Sequence, residues 1–302
     1  MNILNATNHA NRIDARRSGQ VWQDGQYRTI GSIGRGSRAL QRDEIRACAP
    51  SIFAEAAHTR TSDRYSFLPT SSILDGMEAE GWVPTLVQEH SVRDETRAGF
   101  QKHMIRFARL NELTMEGDRA EIVLINAHDR SSAYHMHAGI FRTYCMNGLV
   151  VCDGTFEKRS ITHMGFEPAK VIEASVEIVR EVPRLMDGIA EMKQIQLTED
   201  ERNAFAKAAI VVRWDDAAKA PVRYDKLLIP QRTQDATPTL WNTLNVVQER
   251  IIKGGQRDYS KRTPAGKRMG KSRAVKGIDG NIGINKALWT LAEEMKRLKT
   301  VA

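Results

Sequence analysis

The stretch Glu121–Leu149, EIVLINAHDRSSAYHMHAGIFRTYCMNGL, decides the fold. It opens on an apolar run, Ile122-Val123-Leu124-Ile125, followed by a polar cluster of Asn126, His128, Asp129, Arg130, Ser131 and Ser132. A second extended run, Tyr134 to Cys145, leads into Asn147-Gly148. That dipeptide is the strongest short-range hairpin signal in the chain, because both residues tolerate the positive φ of a tight turn. The stretch predicts two or three paired strands with a polar corner between the first two.

Working outward toward the N-terminus, Lys102–Leu110 reads as a strand. Its alternation puts Met104, Arg106 and Ala108 on one face and His103, Ile105, Phe107 and Arg109 on the other. Trp82–Val92 reads as its neighbour, with Pro84 near the start or on an edge. Before it, Ile73, Leu74 and Met77 have helical spacing, with Thr70, Ser71 or Ser72 as the cap and Gly81 as the stop. Asp43–Cys48 predicts a short helix. Residues 1–40 are polar and punctuated by Gly and Arg, which predicts a flexible leader with a short hairpin around Gln20–Ile30. Gly34-Arg35-Gly36 is no phosphate loop, since it lacks the Lys-Ser/Thr that would hold one.

Toward the C-terminus the period changes to that of helices. Pro168–Ile195 carries an apolar stripe (Val171, Ile172, Val176, Val179, Leu185, Ile189), with Pro183 expected to kink or break it. Thr198 and Glu201 form a capping box for a helix to about Arg213. Pro238–Ile252 is a third helix ending at Gly254-Gly255, and Ile284–Leu298 a terminal one. The order predicts an α+β fold: an antiparallel meander of three to five strands with helices on one face, and a helical C-terminal half. Three regions are expected: a leader over 1–40, an α+β core over 41–214, and a helical region over 215–302 with a basic loop at 253–276. Alternating βα units are absent, which excludes a doubly wound nucleotide-binding sheet.

Lys and Arg total 45 against 37 acidic residues, a formal charge of +8 in 302 residues. That balance is compatible with a nucleic-acid partner, because phosphates attract the cations and release counterions. No apolar run is long enough for a membrane span. The N-terminus lacks the pattern of a secretory signal. The scattered Cys48, Cys145 and Cys152 favour a reducing cytoplasm.

Candidate chemistry falls into four groups. His128, His135, His137, Cys145, Cys152 and His163 are close in sequence, and His135 with His137 would share a strand face. Yet no strong ligand spacing appears, so neither metal nor cofactor is expected. His128, Asp129 and His137 are the catalytic candidates of a hydrolase or nuclease reading, against the plain reading of a turn whose Asn, Asp and Ser bond local backbone. Arg93, Lys102, His103, Arg106, Arg109, Arg130 and Arg142 could form a basic ridge along the sheet for a phosphate backbone, with Trp82, Phe107, Tyr134 and Phe141 nearby for bases. Salt bridges to Glu89, Asp94, Glu95, Glu112 and Glu116 are the competing reading. Finally, Arg250–Lys276 holds ten Lys/Arg and one acid, Asp258. Lys253, Lys261, Arg262, Lys267, Arg268, Lys271 and Arg273 there predict an exposed, mobile, phosphate-binding loop.

These residues resemble a plasmid- and prophage-borne family of largely uncharacterised proteins that includes YfjQ, YafZ and YubP. The matching motifs are Pro50-Ser51-Ile52-Phe53, Pro69-Thr70, Glu80-Gly81-Trp82, Lys102-His103-Met104 with Arg106, His128-Asp129, Phe141-Arg142 and Asn147-Gly148-Leu149. Farther on they are Trp241, Lys253-Gly254-Gly255, Gly277-Ile278-Asp279-Gly280 and Ala287-Leu288-Trp289. Arg130 stands where relatives are expected to carry Gly. The resemblance implies a mobile-element protein, of the kind carried beside single-strand-binding and anti-defence genes, and supplies no activity. The helix–meander–helix order is also similar to Rad52/RecT-type single-strand annealing proteins, which assemble into rings or filaments, so homo-oligomers are compatible with it. The expected function is a non-catalytic DNA-binding accessory protein that favours single strands and promotes annealing. The alternative is an anti-defence inhibitor that binds a host nuclease or restriction complex.

Overall fold

The computed structural model describes residues 21–23, 26–28, 31–33, 38–62, 65–92, 94–115, 117–142, 147–151, 160–161, 168–263 and 265–301. The chain divides into two compact units, one comprising 1–148 and 154–180, the other 149–153 and 181–302. The helix over 199–214 belongs to the second unit, where it packs with the helices that follow it.

The first unit is built on the meander. β1 (Val21–Gln23) and β2 (Gln26–Arg28) pair as the small hairpin expected there. β3 (Gly31–Ile33), β4 (Trp82–Glu89), β5 (His103–Arg109), β6 (Asp118–Asn126), β7 (Tyr134–Arg142) and β8 (Asn147–Val150) lie side by side in chain order, and β9 (Ser160–Ile161) pairs with β7. β3 to β7 are antiparallel throughout. Pro84, which has no N–H for a ladder bond, sits where the β4–β5 register shifts, so the proline is accommodated at a bulge.

β5 and β6 are buried along nearly their whole length on both faces. α1 (Arg42–Cys48) packs on β3 and β4, and α2 (Thr70–Ala79) packs on β4. They bury Ile45, Cys48, Ile73, Leu74 and Met77. Arg42 clamps the two helices together through Asp75 and Glu78. α2 begins at Thr70 as predicted, but its hydroxyl does not cap the helix.

The opposite sheet face carries buried charge. Arg106 Nε donates to Glu121 Oε2 at 2.5 Å and Arg119 Nη2 to Glu121 Oε1 at 3.0 Å, with all three side chains at most 4% exposed. The Arg119 guanidinium also lies 4.5 Å from the centre of the Phe141 ring. Charges this deep persist only when paired and hydrogen-bonded. Gly148 lies against the Arg106 guanidinium so closely that an added Cβ would sit 2.7 Å from Cζ. The second residue of β8 is thus a position that must lack a side chain.

The second unit is helical. α3 (Pro168–Gln194), which leads into it, runs through Pro183 as one helix of 27 residues, so the expected break is absent. α4 (Glu199–Trp214) opens on the predicted capping box, with Thr198 N donating to Glu201 Oε2 at 2.7 Å and Glu201 N to Thr198 Oγ1 at 3.3 Å. α5 (Tyr224–Leu227) is a single turn. α6 (Leu240–Lys253) is capped by Thr239, and α7 (Ile278–Val301) starts earlier than its apolar period suggested. α4, α6 and α7 pack together around Phe205, Leu244 and Leu288. Gln248 of α6 donates to Asn285 of α7 at 2.8 Å, a buried amide pair that fixes their register. No helix among the described residues is long and apolar enough to cross a membrane.

Gly148→Ala is expected to lower stability by about 1–3 kcal/mol, the usual cost of overpacking against a group that cannot withdraw. Urea unfolding measures it. An unchanged midpoint would show that the Arg106 guanidinium yields freely.

Candidate functional site

The sheet does not present the basic ridge expected from its sequence. His103 is fully buried, Arg106 is engaged by Glu121, and Arg142 is buried against Asp118 at 3.7 Å. Arg106 and His103 also face opposite sides of the sheet, as their alternation requires. Arg109 donates to the Glu80 carbonyl at 2.7 Å and stacks over Trp82. Lys102 is half-buried, and Arg130 is exposed with a 3.4 Å contact to the Arg60 carbonyl. Arg93 lies outside the described residues. Of the proposed stacking aromatics, Trp82, Phe107, Tyr134 and Phe141 are all core. Burial wins because both sheet faces are covered, so a strand cation is either paired or absent.

His103 is instead the middle of a buried polar row. Register pairs Glu89 of β4 with His103 of β5, and His103 with Asn126 of β6, so the three side chains share one face. Ser51 and Thr70 descend onto them from a 3-10 turn (Pro50–Phe53) and from the start of α2. Ser51 Oγ lies 2.8 Å from His103 Nδ1, Thr70 Oγ1 lies 2.9 Å from His103 Nε2, and the same oxygen lies 3.1 Å from His128 Nε2. Asn126 Nδ2 donates to Thr70 Oγ1 at 3.0 Å.

Donor and acceptor chemistry orders the hydrogens. The Gln101 carbonyl, 3.2 Å from His103 Nδ1, can only accept, so Nδ1 carries the proton. Nε2 is then bare and takes the Thr70 hydroxyl hydrogen. Thr70 has one hydrogen to give, so His128 must donate to it from Nε2–H. Ser51 in turn hydrogen-bonds Glu89, whose carboxylate also accepts from Ser51 N at 3.0 Å and Gln101 Nε2 at 2.8 Å. The result is a chain Glu89–Ser51–His103–Thr70–His128 in which the His103 imidazole is neutral. Burial pushes the Glu89 pKa up to about 7 against the hydrogen bonds from Ser51 and Gln101. Burial likewise pushes His103 down to about 4, with Gln101 opposing it.

His128, Asp129 and His137 are not brought together. His128 serves Thr70, and Asp129 is held by an Arg97 ion pair and by Ser131 N at 2.9 Å. Burial works to raise the Asp129 pKa, but the bonds from Ser131 and Arg97 keep it below its ordinary value. His137 alternates with Tyr134 and Met136, so it faces the other side of the sheet, where it stacks on His135 at 6.2 Å. Cys145, Cys152 and His163 lie outside the described residues. Among the described residues, no three His, Cys, Asp or Glu side chains are placed to share a metal ion. Arg130 has φ +67°, the left-handed region, which is the physical reason a glycine is expected there.

The basic segment of the second unit is ordered, not the mobile loop its composition suggested. Gly254 has φ +64° and packs so tightly that a Cβ would lie 2.6 Å from Ala274 N. After this turn, Gly255 N donates to Ser272 O and Ser272 N to Gln256 O. A narrow hairpin follows: Arg262 bridges Arg268, with Thr263 N donating to Lys267 O and Met269 N to Lys261 O. Its base is pinned by Asp258 N to Pro221 O and by Lys261 Nζ to the Ala217 and Ala220 carbonyls, both at 2.8 Å. Lys253 is exposed but pairs with Glu249. Arg262, Lys267, Arg268, Lys271 and Arg273 are exposed, and among the described residues they form no ion pair.

Sequence reading found His103, Asn126 and His128 but not their partners Ser51, Thr70, Glu89 and Gln101. Register arithmetic from the Gly-bounded strand ends could have aligned Glu89 with His103. Nothing local marked Ser51 or Gln101.

The row makes a pH-dependent contribution of known sign. Glu89, raised when folded, adds stability that is lost as pH rises from 4.5 through 7. His103, lowered when folded, adds stability that is lost as pH falls from 6.5 through 4. Between pH 4.5 and 6.5 the two oppose each other. Glu89→Gln removes one of them, so the variant is expected to lose stability on acidification across this window where the parent changes little. It is also less stable at every pH by roughly 1–3 kcal/mol, since an amide nitrogen then meets the Gln101 donor. Urea midpoints at several pH values measure both effects, and parallel pH profiles would overturn the assignment.

A family model described as a domain of unknown function (DUF932) matches residues 57–289. The chain is 38% identical over 261 residues to the UPF0380 protein YafZ of Escherichia coli (strain K12), covering 86% of this chain and 93% of that protein. It is equally similar, over the same shares, to the UPF0380 protein YfjQ of the same organism. No solved structure matches, so the likeness to annealing proteins gains no support. With a matched stretch that holds Thr70, Glu89, His103, Asn126 and His128 of the polar row and the basic hairpin, the chain belongs to the DUF932 family, alongside YafZ and YfjQ.

Proposed function

We propose that this protein is a non-catalytic DNA-binding accessory protein that grips a phosphate backbone with the basic hairpin of its second unit. The observation that carries the reading is a set of five exposed cations on an ordered scaffold, Arg262, Lys267, Arg268, Lys271 and Arg273, with no ion pair among the described residues. A solvated surface commonly mixes signs. Here the one acid of the segment, Asp258, is turned inward to Ser260 N and Oγ, at 2.9 and 2.5 Å, and offsets none of them. A hairpin fixed by backbone bonds loses little entropy when it meets a ligand, so its cations bind more effectively than they would on a loose loop.

The relatives' names state no activity, and the reading rests on this surface. It fits the mobile-element setting that the family resemblance implies. Cations on the sheet play no part, because Arg106 and Arg142 neutralise carboxylates inside the core. The buried row lies inside the first unit and does not enter this reading.

Changing Arg262, Lys267 and Arg268 together to Gln is expected to weaken binding to a fluorescent oligonucleotide roughly tenfold or more at low salt. The slope of log affinity against log salt is expected to fall by about 2, at about 0.7 for each single-strand phosphate that the variant no longer neutralises. Fluorescence anisotropy at several salt concentrations measures both. Unchanged affinity in a folded variant would overturn the site.

A further inference from the structure

Two aromatic rings lie on segments that meet the basic hairpin, one exposed and one half-buried. Tyr259, at the base of the hairpin, is 67% exposed. Its near partner is the Arg257 guanidinium, 5.8 Å from the ring centre. Trp214, at the end of α4, is half-buried, with the Arg213 guanidinium 5.6 Å from its ring. Hydrogen bonds join the segments that carry the two rings. Asp258, next to Tyr259, is tied by its N–H to Pro221 at 2.9 Å, and Lys261 reaches Ala217 and Ala220 in the turn that follows Trp214. Arg213 also touches the Arg273 carbonyl at 3.5 Å, which brings α4 against the outgoing arm of the basic segment.

An exposed tyrosine alone is ordinary. Two aromatics, each backed by a guanidinium and set among cations that form no ion pairs with the described residues, make a pattern with a chemical meaning. Guanidinium over one face polarises a ring and leaves its other face for a further flat group. Nucleobases are such groups, and they offer their faces only when unpaired from a duplex stack. Stacking is tolerant of sequence, because every base has a π-face.

We infer that Tyr259 and Trp214 are base-stacking stations, and that the nucleic acid held by the basic hairpin is therefore a single strand bound without sequence preference. This rests on the phosphate-binding role proposed above. Phosphates seat on Arg262, Lys267 and Arg268, while bases turn onto the rings beside them. The chemistry is shared by DNA and RNA.

The test compares a thymidine 20-mer, a uridine 20-mer, an abasic 20-mer and a duplex, each on the full chain at fixed salt. Wild type is expected to bind the thymidine strand more tightly than the abasic strand or the duplex. Tyr259→Ala is expected to weaken the thymidine complex roughly tenfold while leaving abasic affinity and the salt slope unchanged. Tyr259→Phe should bind as wild type, which separates stacking from the hydroxyl. Binding of the thymidine strand should quench tryptophan fluorescence, and Trp214→Phe should remove most of the quenching. The uridine arm shows whether the sugar matters. If wild type binds the abasic and thymidine strands equally and Tyr259→Ala changes neither, the stacking site is wrong while phosphate binding stands. If wild type binds none of the four, the phosphate-binding role falls with it.

Discussion

A single hydroxyl holds the first unit together. Thr70 Oγ1 contacts two imidazoles and one amide in a space where no polar group is exposed. Burying such groups without partners costs more than a typical hydrogen bond returns, so these bonds favour one mutual arrangement of the start of α2, the start of β5, the end of β6 and the loop carrying His128. The helix gives up a side-chain cap to provide it, leaving Pro69 at its N-terminal boundary.

This organisation separates two kinds of polar residue that look alike in sequence. Charges on the strands are internal: Arg106 and Arg119 neutralise Glu121, and Arg142 neutralises Asp118; off the strands, Arg97 of a 3-10 turn pairs with the buried Asp129. Charges on the hairpin of the second unit are external and form no ion pairs with the described residues. The first set is a structural device, and removal of one partner would leave a buried charge. Only the second set can exchange counterions with a polyanion.

The meander was legible because strand alternation and the Gly81 stop are local signals, and local signals survive folding, whereas Asn147-Gly148, read as a turn, opens strand β8. The capping box at Thr198 and the glycine stop after α6 were legible for the same reason. Three features were not. Pro183 reads as a breaker, yet α3 tolerates it within 27 residues. His103 and Arg106 read as exposed cations because nothing local says that both faces of β5 are covered. The hairpin at Arg262–Arg268 was hidden by its composition: its order comes from contacts at Gly254, Pro221 and Ser272 that composition does not reveal. In the last two cases a long-range contact decided the outcome.

Hydrogen-bonded chains of hydroxyls and imidazoles have a property familiar from ice: each can run in either of two senses, and a ring or open chain with no fixed end is a mixture of both. The row from Glu89 to His128 has a fixed end. The Gln101 carbonyl has no hydrogen to give, so it sets the sense at His103 Nδ1, and every later hydrogen follows from that one. The core thus has one proton order instead of two, set at His103 and passed through the Thr70 hydroxyl to His128.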